Sequence, residues 1–393
     1  MSTTLRPVRW GILGTGYISR AFAEGLRPLP GAQLVAIASR TLSSAQQFAR
    51  DFGVAKAYGS YQELVQAADV DVVYIGTPNS RHRNDCLLCL GAGKPVLCEK
   101  PFAMNAKEAS EVITFARKQQ LFCMEAMWMR FLPLVQRVRQ MIQSGAIGEV
   151  CTLTAEFGYP AAFDPSSRLF NRELGGGALL DRGVYPLSLA YFLLGEPESV
   201  VSQAAIGTTG VDEQSTYLLK YANGQLATLS ANLKTYASNE AVIVGTRGQI
   251  RIHAPFYKPH QLSVKTFAAA TTGGSSSGSR SEFSSGSTTG RDANRLPSLK
   301  QKVASAVQDN SGLKRLYLQF GDAFLKQLRQ PTKTILEPYE GNGYGYEATE
   351  VMRCLRSGEI ESKTMSLDET LTIQTMMDHL RHQWGLTYPQ DDT

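Results

Sequence analysis

Short apolar runs alternate with amphipathic stretches along the first 125 residues. The apolar runs typical of strands cover 10–13, 34–38, 71–75, 94–98 and 121–124, and helical patterns include 21–26, 85–90 and 106–119. Near-continuous apolar strands separated by amphipathic helices indicate a parallel sheet with helices on both faces. We therefore predict an N-terminal α/β domain over residues 1–126.

The pattern changes in the second part of the chain, where strand-like runs follow one another without helices between most of them. These runs cover 150–157, 200–206, 215–221, 224–232, 241–245 and 249–253. Asn223-Gly224 between two of them is a hairpin signal. Sequential strands joined by short turns predict an antiparallel sheet in a second domain, residues 127–393.

A glycine-rich turn follows the first predicted strand and opens the first predicted helix. Gly14 permits a tight turn, Gly16 lets the backbone approach a pyrophosphate, and Ser19 is small enough for helix and strand to pack closely. The free amides at a helix start favour an anion. We therefore predict a Rossmann fold, with a dinucleotide contacted by the residues of this turn: Gly14, Thr15, Gly16, Tyr17 and Ile18.

The second predicted strand ends in Ser39-Arg40. Enzymes that use NAD usually carry Asp or Glu here to hold the adenosine ribose. A hydroxyl and a guanidinium instead match a 2′-phosphate through charge-assisted hydrogen bonds. We predict NADP as the cofactor, although Arg40 could also be a solvated side chain at a strand end.

Polar residues follow several of the predicted strands. Thr77-Pro78-Asn79 with His82, Glu99-Lys100 and Glu125 all come directly after apolar runs. Ligands of parallel sheets bind beyond the carboxyl ends of the strands. We therefore predict that these residues and Ser39-Arg40 form one site, with Thr77, Pro78, Asn79, His82, Glu99 and Lys100 at the cofactor.

Hydride transfer to or from a carbinol also requires a side chain that moves a proton. Lys100 is one candidate; the alternative is a surface lysine paired with Glu99. On a helix, Asp181 and Tyr185 share a face, and an ammonium nearby would lower the pKa of a tyrosine below about 10. The alternative is a helix in which Tyr185 is simply buried and Asp181 acts as a cap.

Four segments together resemble the glucose–fructose oxidoreductase and inositol dehydrogenase superfamily: residues 14–16, 99–101, 125–131 and 175–185. Many members end the D-x-G-x-x motif in histidine, whereas this chain has Tyr185, as does the branch of dimeric dihydrodiol dehydrogenase and NADP-dependent D-xylose 1-dehydrogenase. Residues 341–348 and 383–386 also look like this branch. The resemblance covers about residues 6–264 and 334–389.

The resemblance implies a Rossmann domain followed by an α/β domain with an open, mostly antiparallel sheet that forms a homodimer face. It implies Lys100 and Tyr185 as the catalytic pair, Asp181 orienting them, His82 nearby, and Trp128 and Arg168 in the substrate pocket. Phe163 is a pocket candidate from local sequence only. Where relatives often carry Asp-Pro, this chain has Asn171-Arg172.

The activity implied is NADP-dependent oxidoreduction of a small sugar or cyclic vicinal diol, with proton transfer by Lys100 and Tyr185. A non-catalytic NADP sensor or regulator on the same scaffold is the first alternative. Such a protein need not keep a proton carrier, whereas this chain combines Lys100, Asp181 and Tyr185. A reductase for a larger acceptor such as a tetrapyrrole fits the Asp181 and Tyr185 arrangement less well.

Cysteine content and hydropathy bear on the cellular setting. The six cysteines in 393 residues are sparse, and no apolar run approaches the roughly 20 residues of a membrane helix. Cys86 and Cys89 form a CxxC inside a helical pattern without a second ligand pair, which favours a buried, inert pair over a metal or redox site. We expect a cytoplasmic protein without a metal centre or a membrane span.

The net charge of +5 is unevenly distributed. Residues 265–333, an insertion relative to the family pattern, hold 11 Lys/Arg and 4 Asp/Glu, so the rest of the chain is nearly neutral. Residues 271–290 are typical of a flexible tether. Apolar residues at helical spacing then predict a basic amphipathic helix: Leu313, Leu316, Phe320, Phe324 and Leu328.

The role of this insertion stays open at the level of sequence. Its helix could dock on its own domain or on a dimer mate, or it could bind a separate, unknown partner. No nucleic-acid-binding module accompanies the charge, so we expect no nucleic-acid partner. We also expect that deleting the insertion leaves NADP binding intact.

Overall fold

The N-terminal part of the chain forms a six-stranded parallel sheet. The structure is a computed structural model that describes residues 6–267 and 332–392. The strands are β1 (Val8–Leu13), β2 (Ala32–Ala38), β3 (Lys56–Tyr58), β4 (Val72–Ile75), β5 (Val96–Glu99) and β6 (Cys123–Ala126), in the order β3-β2-β1-β4-β5-β6. The strand order reverses between β1 and β4, which is where ligands bind doubly wound sheets. The predicted Rossmann fold is confirmed.

Helices cover both faces of this sheet: α1 (Tyr17–Leu26), α2 (Leu42–Phe52), α3 (Tyr61–Val65), α4 (His82–Gly91) and α5 (Ala106–Gln119). Strand β4 is buried throughout, and its side chains alternate between the two cores, with Tyr74 in one and Ile75 in the other. Side chains of Thr41, Ser60 and Asn105 accept hydrogen bonds from the first turns of α2, α3 and α5. These caps satisfy backbone donors that the helices leave free.

The C-terminal part of the chain is built on an eight-stranded sheet. Its strands are β7 (Val150–Gly158), β8 (Ser199–Ile206), β9 (Asp212–Lys220), β10 (Leu226–Asn232), β11 (Ala241–Gly245), β12 (Gly248–Ile252), β13 (Gln261–Thr266) and β14 (Thr332–Leu336). Their order is β14-β13-β12-β11-β7-β10-β9-β8. The helices of this part are α6 (Pro133–Gln143), α7 (Val184–Leu194), α8 (Tyr344–Ser357) and α9 (Leu367–Gln383).

The second sheet is mixed but mostly antiparallel, as predicted. The pairs β8–β9, β9–β10, β7–β11 and β11–β12 are antiparallel, whereas β7 and β10 pair in parallel. The predicted Asn223-Gly224 hairpin joins β9 to β10, with Gly224 at φ 80°. The parallel pair arises because α7 and two strands intervene between its members, a non-local arrangement that local turn signals do not reveal.

Both predicted domains lie in one compact unit, which includes residues 6–264 and 333–392. The tether and the amphipathic helix predicted for the insertion fall on residues 268–331, outside the described residues, so they stay predictions. Within residues 6–267 and 332–392, no helix combines the length and the apolar character that a bilayer crossing requires.

Candidate active site

The turn between β1 and α1 has the geometry that a dinucleotide needs. Gly14 adopts φ +97°, and a Cβ there would lie 2.7 Å from the Gly76 carbonyl oxygen. Gly16 precedes α1 without a side-chain cap, and a Cβ there would meet open space. Ser19 is buried against Gly76, as close packing of helix and strand requires. The open backbone at Gly16 and the uncapped first turn at Tyr17 and Ile18 fit a bound pyrophosphate.

The end of β2 carries the predicted determinant of the cofactor phosphate. Ser39 is buried, and its backbone N–H donates to the Tyr58 carbonyl oxygen at 3.2 Å. Arg40 follows and is exposed, and Thr41 then caps α2. Because β2 pairs in parallel with β1, the end of β2 that leads to Arg40 lies at the same edge of the sheet as the glycine turn.

The end of β4 leads into the segment with Thr77, Pro78 and Asn79. The Thr77 hydroxyl donates to Asp85 at 2.8 Å, and the Asn79 amide donates to the Gly175 carbonyl oxygen at 3.2 Å. These two side chains therefore join the end of β4 to α4 and to the glycine segment that begins at Gly175.

His82 is fully buried between two loops. Its ring nitrogens lie 2.8 Å from the Pro101 carbonyl oxygen and 2.9 Å from that of Thr77. Both polar atoms of the ring are thus engaged by backbone. The side chain therefore connects the end of β4 to the loop after β5.

The end of β5 carries Glu99 and Lys100. Glu99 is buried, accepts a 2.5 Å hydrogen bond from the Tyr74 hydroxyl and accepts another from the Lys100 backbone N–H at 3.1 Å. Burial raises the pKa of the Glu99 carboxyl, and Lys100 opposes that rise. The Glu99 side chain therefore secures the backbone at Lys100, while the ammonium of Lys100 points elsewhere.

Lys100 extends to the segment that carries Asp181 and Tyr185. Its Nζ donates to the Asp181 carbonyl oxygen at 2.8 Å and lies 3.6 Å from Asp181 Oδ1. The same Nζ lies 4.7 Å from the centroid of the Tyr185 ring. The structure thus brings together the three residues predicted as the proton-transfer machinery.

Asp181 is an ionised carboxylate between cations. Its Oδ1 accepts from Arg168 at 2.7 Å, and Oδ2 lies 3.6 Å from Arg182. Burial alone would raise the pKa of this carboxyl, but Lys100 and Arg168 outweigh burial and hold the pKa well below its usual range. Arg168, a predicted pocket residue, therefore contacts the site through Asp181.

Tyr185 is buried and accepts a 3.0 Å hydrogen bond from the Trp128 indole N–H. Burial raises its pKa well above the ordinary value, and the nearby Glu99 adds to that rise. The prediction of a lowered pKa for Tyr185 was therefore wrong. Desolvation of the phenolate and a buried acid nearby outweigh any effect of the Lys100 ammonium at this ring.

The segment that presents these residues is not a regular α-helix. Residues Leu179–Gly183 form a π-helical turn, which continues directly as α7. Single π-helical turns occur often at functional sites. Asp181 lies in the π-helical turn and Tyr185 in the first turn of α7, and both face Lys100.

Trp128 and Phe163 occupy different surroundings. Trp128 lies in the 3₁₀ turn Trp128–Phe131 and stacks on Tyr344, with ring centroids 4.6 Å apart. Phe163 is 55% exposed and packs edge-on against Phe170, which belongs to a small separate apolar cluster. Trp128 reaches Tyr185 directly, whereas no described contact joins Phe163 to the residues around Lys100.

An aromatic wall beside Tyr185 was not predicted from sequence. Phe157 and Tyr257 stack with centroids 4.3 Å apart, and both rings lie within 5.5 Å of the Tyr185 ring. They come from β7 and from the loop after β12, so no local pattern joins them to the D-x-G-x-x motif. We call Phe157 and Tyr257 the aromatic wall.

Among residues 6–267 and 332–392, no group of three or more His, Cys, Asp or Glu side chains is arranged to hold a metal ion. Cys86 and Cys89 are free and buried, and burial raises the pKa of both thiols.

Comparison with known proteins places both domains in one family. Residues 8–127 match the oxidoreductase family with an NAD-binding Rossmann fold, and residues 135–251 match the GFO/IDH/MocA C-terminal domain. Trans-1,2-dihydrobenzene-1,2-diol dehydrogenase of Xenopus tropicalis is 35% identical over 385 residues, covering 97% of this chain and 99% of the relative. The human protein of that name is 34% identical over 388 residues, covering 98% and 99%.

Solved structures share the fold at lower identity. The aldose-aldose oxidoreductase of Caulobacter crescentus, complexed with glycerol, has a TM-score of 0.74 at 21% identity, covering 96% of this chain and 97% of that one. A 3-ketoreductase of Actinomadura kijaniata, in complex with NADP and TDP-benzene, has a TM-score of 0.73 at 23% identity, covering 96% and 98%.

The sequence and domain matches confirm the resemblance drawn from the motifs. They cover the Rossmann domain, the mixed sheet and nearly the full length of the dihydrodiol dehydrogenases. The chain therefore belongs to the GFO/IDH/MocA family of oxidoreductases, within the dihydrodiol dehydrogenase branch.

Proposed function

We propose that the protein is an NADP-dependent oxidoreductase that transfers a hydride between a sugar or cyclic vicinal-diol carbon and nicotinamide. One observation carries this proposal: Lys100 contacts Asp181 and lies over Tyr185, at the end of β5 in the dinucleotide-binding sheet. A non-catalytic nucleotide sensor would have no need for a buried phenol beside an ammonium at this edge.

Bound nicotinamide would supply the hydride chemistry, and this chain would supply the proton chemistry. The raised pKa keeps Tyr185 a neutral phenol, which suits it to donate a proton to a substrate carbonyl oxygen during reduction. In the oxidative direction, Tyr185 would first lose its own proton to solvent, and the resulting phenolate would accept the substrate hydroxyl proton while the Lys100 ammonium stabilises the developing alkoxide. Asp181 holds the ammonium in place, and Trp128 fixes the Tyr185 hydroxyl.

Ser39 and Arg40 support NADP rather than NAD. A carboxylate at this position would bind the ribose diol and repel a phosphate. The exposed Arg40 guanidinium and the Ser39 hydroxyl instead offer donors to a 2′-phosphate.

The aromatic wall supports a cyclic substrate. Phe157 and Tyr257 lie next to the Tyr185 ring, so a substrate oxygen at the Tyr185 hydroxyl would bring the ring of the substrate beside aromatic faces. A pyranose or a cyclic diol combines an apolar face with hydroxyl groups. The relatives' name, trans-1,2-dihydrobenzene-1,2-diol dehydrogenase, points to the same substrate class.

A substrate screen tests this function. Purified protein is incubated with NADP⁺ or NAD⁺ and with aldoses, deoxy-sugars, inositols and trans-dihydrodiols, and cofactor reduction is followed by absorbance. We expect turnover of at least one cyclic polyol with NADP⁺. Failure of every substrate in both directions, together with no measurable NADPH binding, would contradict the proposal.

We further propose a homodimer formed through the C-terminal sheet. On its open face, Val201 of β8 lies opposite Leu218 of β9, so two apolar side chains are adjacent across these strands. Val201 is 57% and Leu218 43% exposed. Contiguous exposed apolar surface on a sheet favours association with a second copy.

Light scattering after size exclusion tests the dimer. The wild type should elute as a dimer and Leu218→Glu as a monomer. Leu42→Glu, at an exposed leucine in α2 of the Rossmann domain, is the matched control and should remain a dimer. A dimeric Leu218→Glu variant, or a monomeric wild type, would refute this interface.

A further inference from the structure

We propose that a buried polar cluster of Asp212, Ser215, Tyr217 and Tyr388 positions the turn that presents Asp181 to Lys100. This inference rests on the proposed function, because it assigns the cluster an effect on turnover. None of the four residues is among those that meet Lys100. They act on the backbone of residues 176–183, and so they are positioning residues.

Asp212 secures the start of the π-helical turn. Its Oδ2 accepts a 2.8 Å hydrogen bond from the Leu179 backbone N–H and a 2.9 Å hydrogen bond from the Ser215 hydroxyl. Asp212 is fully buried, and its Oδ1 has no hydrogen-bond partner within the described residues. Burial of a carboxyl oxygen without a hydrogen-bond partner costs free energy of folding. The presence of Asp212 beside Leu179, the first residue of the turn, therefore calls for a functional explanation.

Tyr388 binds the backbone of the glycine segment just before the π-helical turn. Its hydroxyl donates a 2.5 Å hydrogen bond to the Gly176 carbonyl oxygen. Arg381 in α9 lies over the Tyr388 ring, with Cζ 5.0 Å from the centroid, and ion-pairs with Asp391 at 2.7 Å. The C-terminal residues are thereby fixed against the glycine segment that precedes Asp181.

Arg172 also joins the C-terminal residues to the segment that precedes the π-helical turn. Its guanidinium donates to the Thr387 carbonyl oxygen at 2.6 Å and to the Thr387 hydroxyl at 2.7 Å. Arg172 is half of the pair at which this chain departs from the family pattern. The departure is therefore accompanied by a specific contact to the C-terminal segment.

Two glycines allow the turn to approach the cluster. Gly177 adopts φ +120°, and a Cβ there would overlap Asp212 Oδ1 and lie 3.0 Å from the Tyr388 hydroxyl oxygen. A Cβ at Gly183 would overlap the Tyr217 hydroxyl, which in turn pairs with Ser215 at 2.7 Å. The cluster therefore contacts both ends of the segment on which Asp181 lies.

The consequence for the site follows from the atom that Lys100 contacts. Lys100 donates to the backbone carbonyl of Asp181, which lies between Gly177 and Gly183. A shift of this backbone moves the carbonyl and the carboxylate together relative to the ammonium. Misplacement of reacting groups by about 1 Å can cost on the order of a hundredfold in rate.

Two variants and one matched control test the cluster. Tyr388→Phe keeps the ring but removes the hydrogen bond to Gly176, and Asp212→Ala removes the acceptor for Leu179. Tyr221→Phe is the control, because its buried hydroxyl has no hydrogen-bond partner among the described residues. Asp212→Asn retains an acceptor for the Leu179 N–H and should restore most of what Asp212→Ala loses.

The readouts are amide hydrogen exchange over residues 175–185, NADPH affinity, and kcat and KM on the best substrate of the screen. We expect faster exchange and about a tenfold or greater fall in kcat for Tyr388→Phe and Asp212→Ala, with NADPH affinity unchanged. The inference would be overturned if both variants showed amide exchange at the wild-type rate, or if they kept the wild-type kcat despite faster exchange. If the wild type turned over no substrate, the proposed function would fail, while exchange would still report on the cluster.

Discussion

The Lys100 ammonium donates a 2.8 Å hydrogen bond to the Asp181 carbonyl oxygen and lies 3.6 Å from the Asp181 carboxylate. These contacts join the Rossmann domain to the D-x-G-x-x segment of the second domain at the predicted reaction centre. Asp181 also binds Arg168, so its carboxylate is shared between a partly buried lysine and a more exposed arginine.

Asp181→Asn keeps the size of the side chain and removes its charge. The Lys100 ammonium then loses its carboxylate neighbour, and we expect kcat to fall by about tenfold or more while NADPH affinity is retained. Steady-state kinetics and fluorescence titration with NADPH measure the two effects. Asp164→Asn, in an exposed loop where Asp164 bonds Ser166, is the control, and equal activity of the two variants would contradict the role of Asp181.

Arg40→Asp should reverse the cofactor preference. A carboxylate at the end of β2 would repel a 2′-phosphate but accept hydrogen bonds from a ribose diol. We expect NADPH affinity to fall by at least about tenfold, with NADH affinity unchanged or improved. Titration of each cofactor by fluorescence gives both dissociation constants.

The charge reversal needs a control elsewhere in the same domain. Arg50→Asp makes the same change of charge in the last turn of α2, at the opposite end of that helix from Arg40. It should leave both affinities close to those of the wild type. Equal losses of NADPH and NADH affinity in Arg40→Asp would rule out a specific contact to the 2′-phosphate.

Two buried carboxyls should make the protein less stable as the pH rises towards neutrality. Burial raises the pKa of Asp212 to about 7, and burial raises that of Glu125 to about 7 as well. The unfolded carboxyls titrate near about 4. The folded state thus binds more protons between about pH 4 and 7, so the stability from these groups is greatest at low pH and is lost through that window.

Asp212→Asn isolates one part of this effect. The carboxyl of Asp212 faces Ser215, Tyr217, Tyr388 and, at longer range, Arg381. Urea unfolding at about pH 5 and pH 8 should give a smaller decrease in the free energy of unfolding for the variant than for the wild type. If the free energy of unfolding decreased as much in the variant as in the wild type, the pKa of Asp212 would be the same in the folded and unfolded states.

Local sequence patterns predicted most of the fold. The helix at 106–119 and the strand at 241–245 were predicted at the bounds observed, because amphipathic and apolar runs of suitable length are local signals. The parallel pairing of β7 with β10 was not predictable in this way, since it depends on segments that lie far apart in the chain.

The candidate site was predictable in its residues but not in its electrostatics. The motifs brought Lys100, Asp181, Tyr185 and Trp128 together, but the rise in the pKa of Tyr185 depends on burial and on Glu99 nearby. The aromatic wall and the Asp212 cluster were missed because their members come from different strands and loops. Only the folded chain brings these residues into contact.

The central claim is that Lys100 and Tyr185 perform proton transfer. Its most direct test is kcat for Lys100→Met and Tyr185→Phe on the substrate from the screen, with NADPH affinity measured in parallel. We predict a loss of at least about a hundredfold in kcat for each variant, with cofactor affinity retained. Near-normal kcat in both variants would contradict the account.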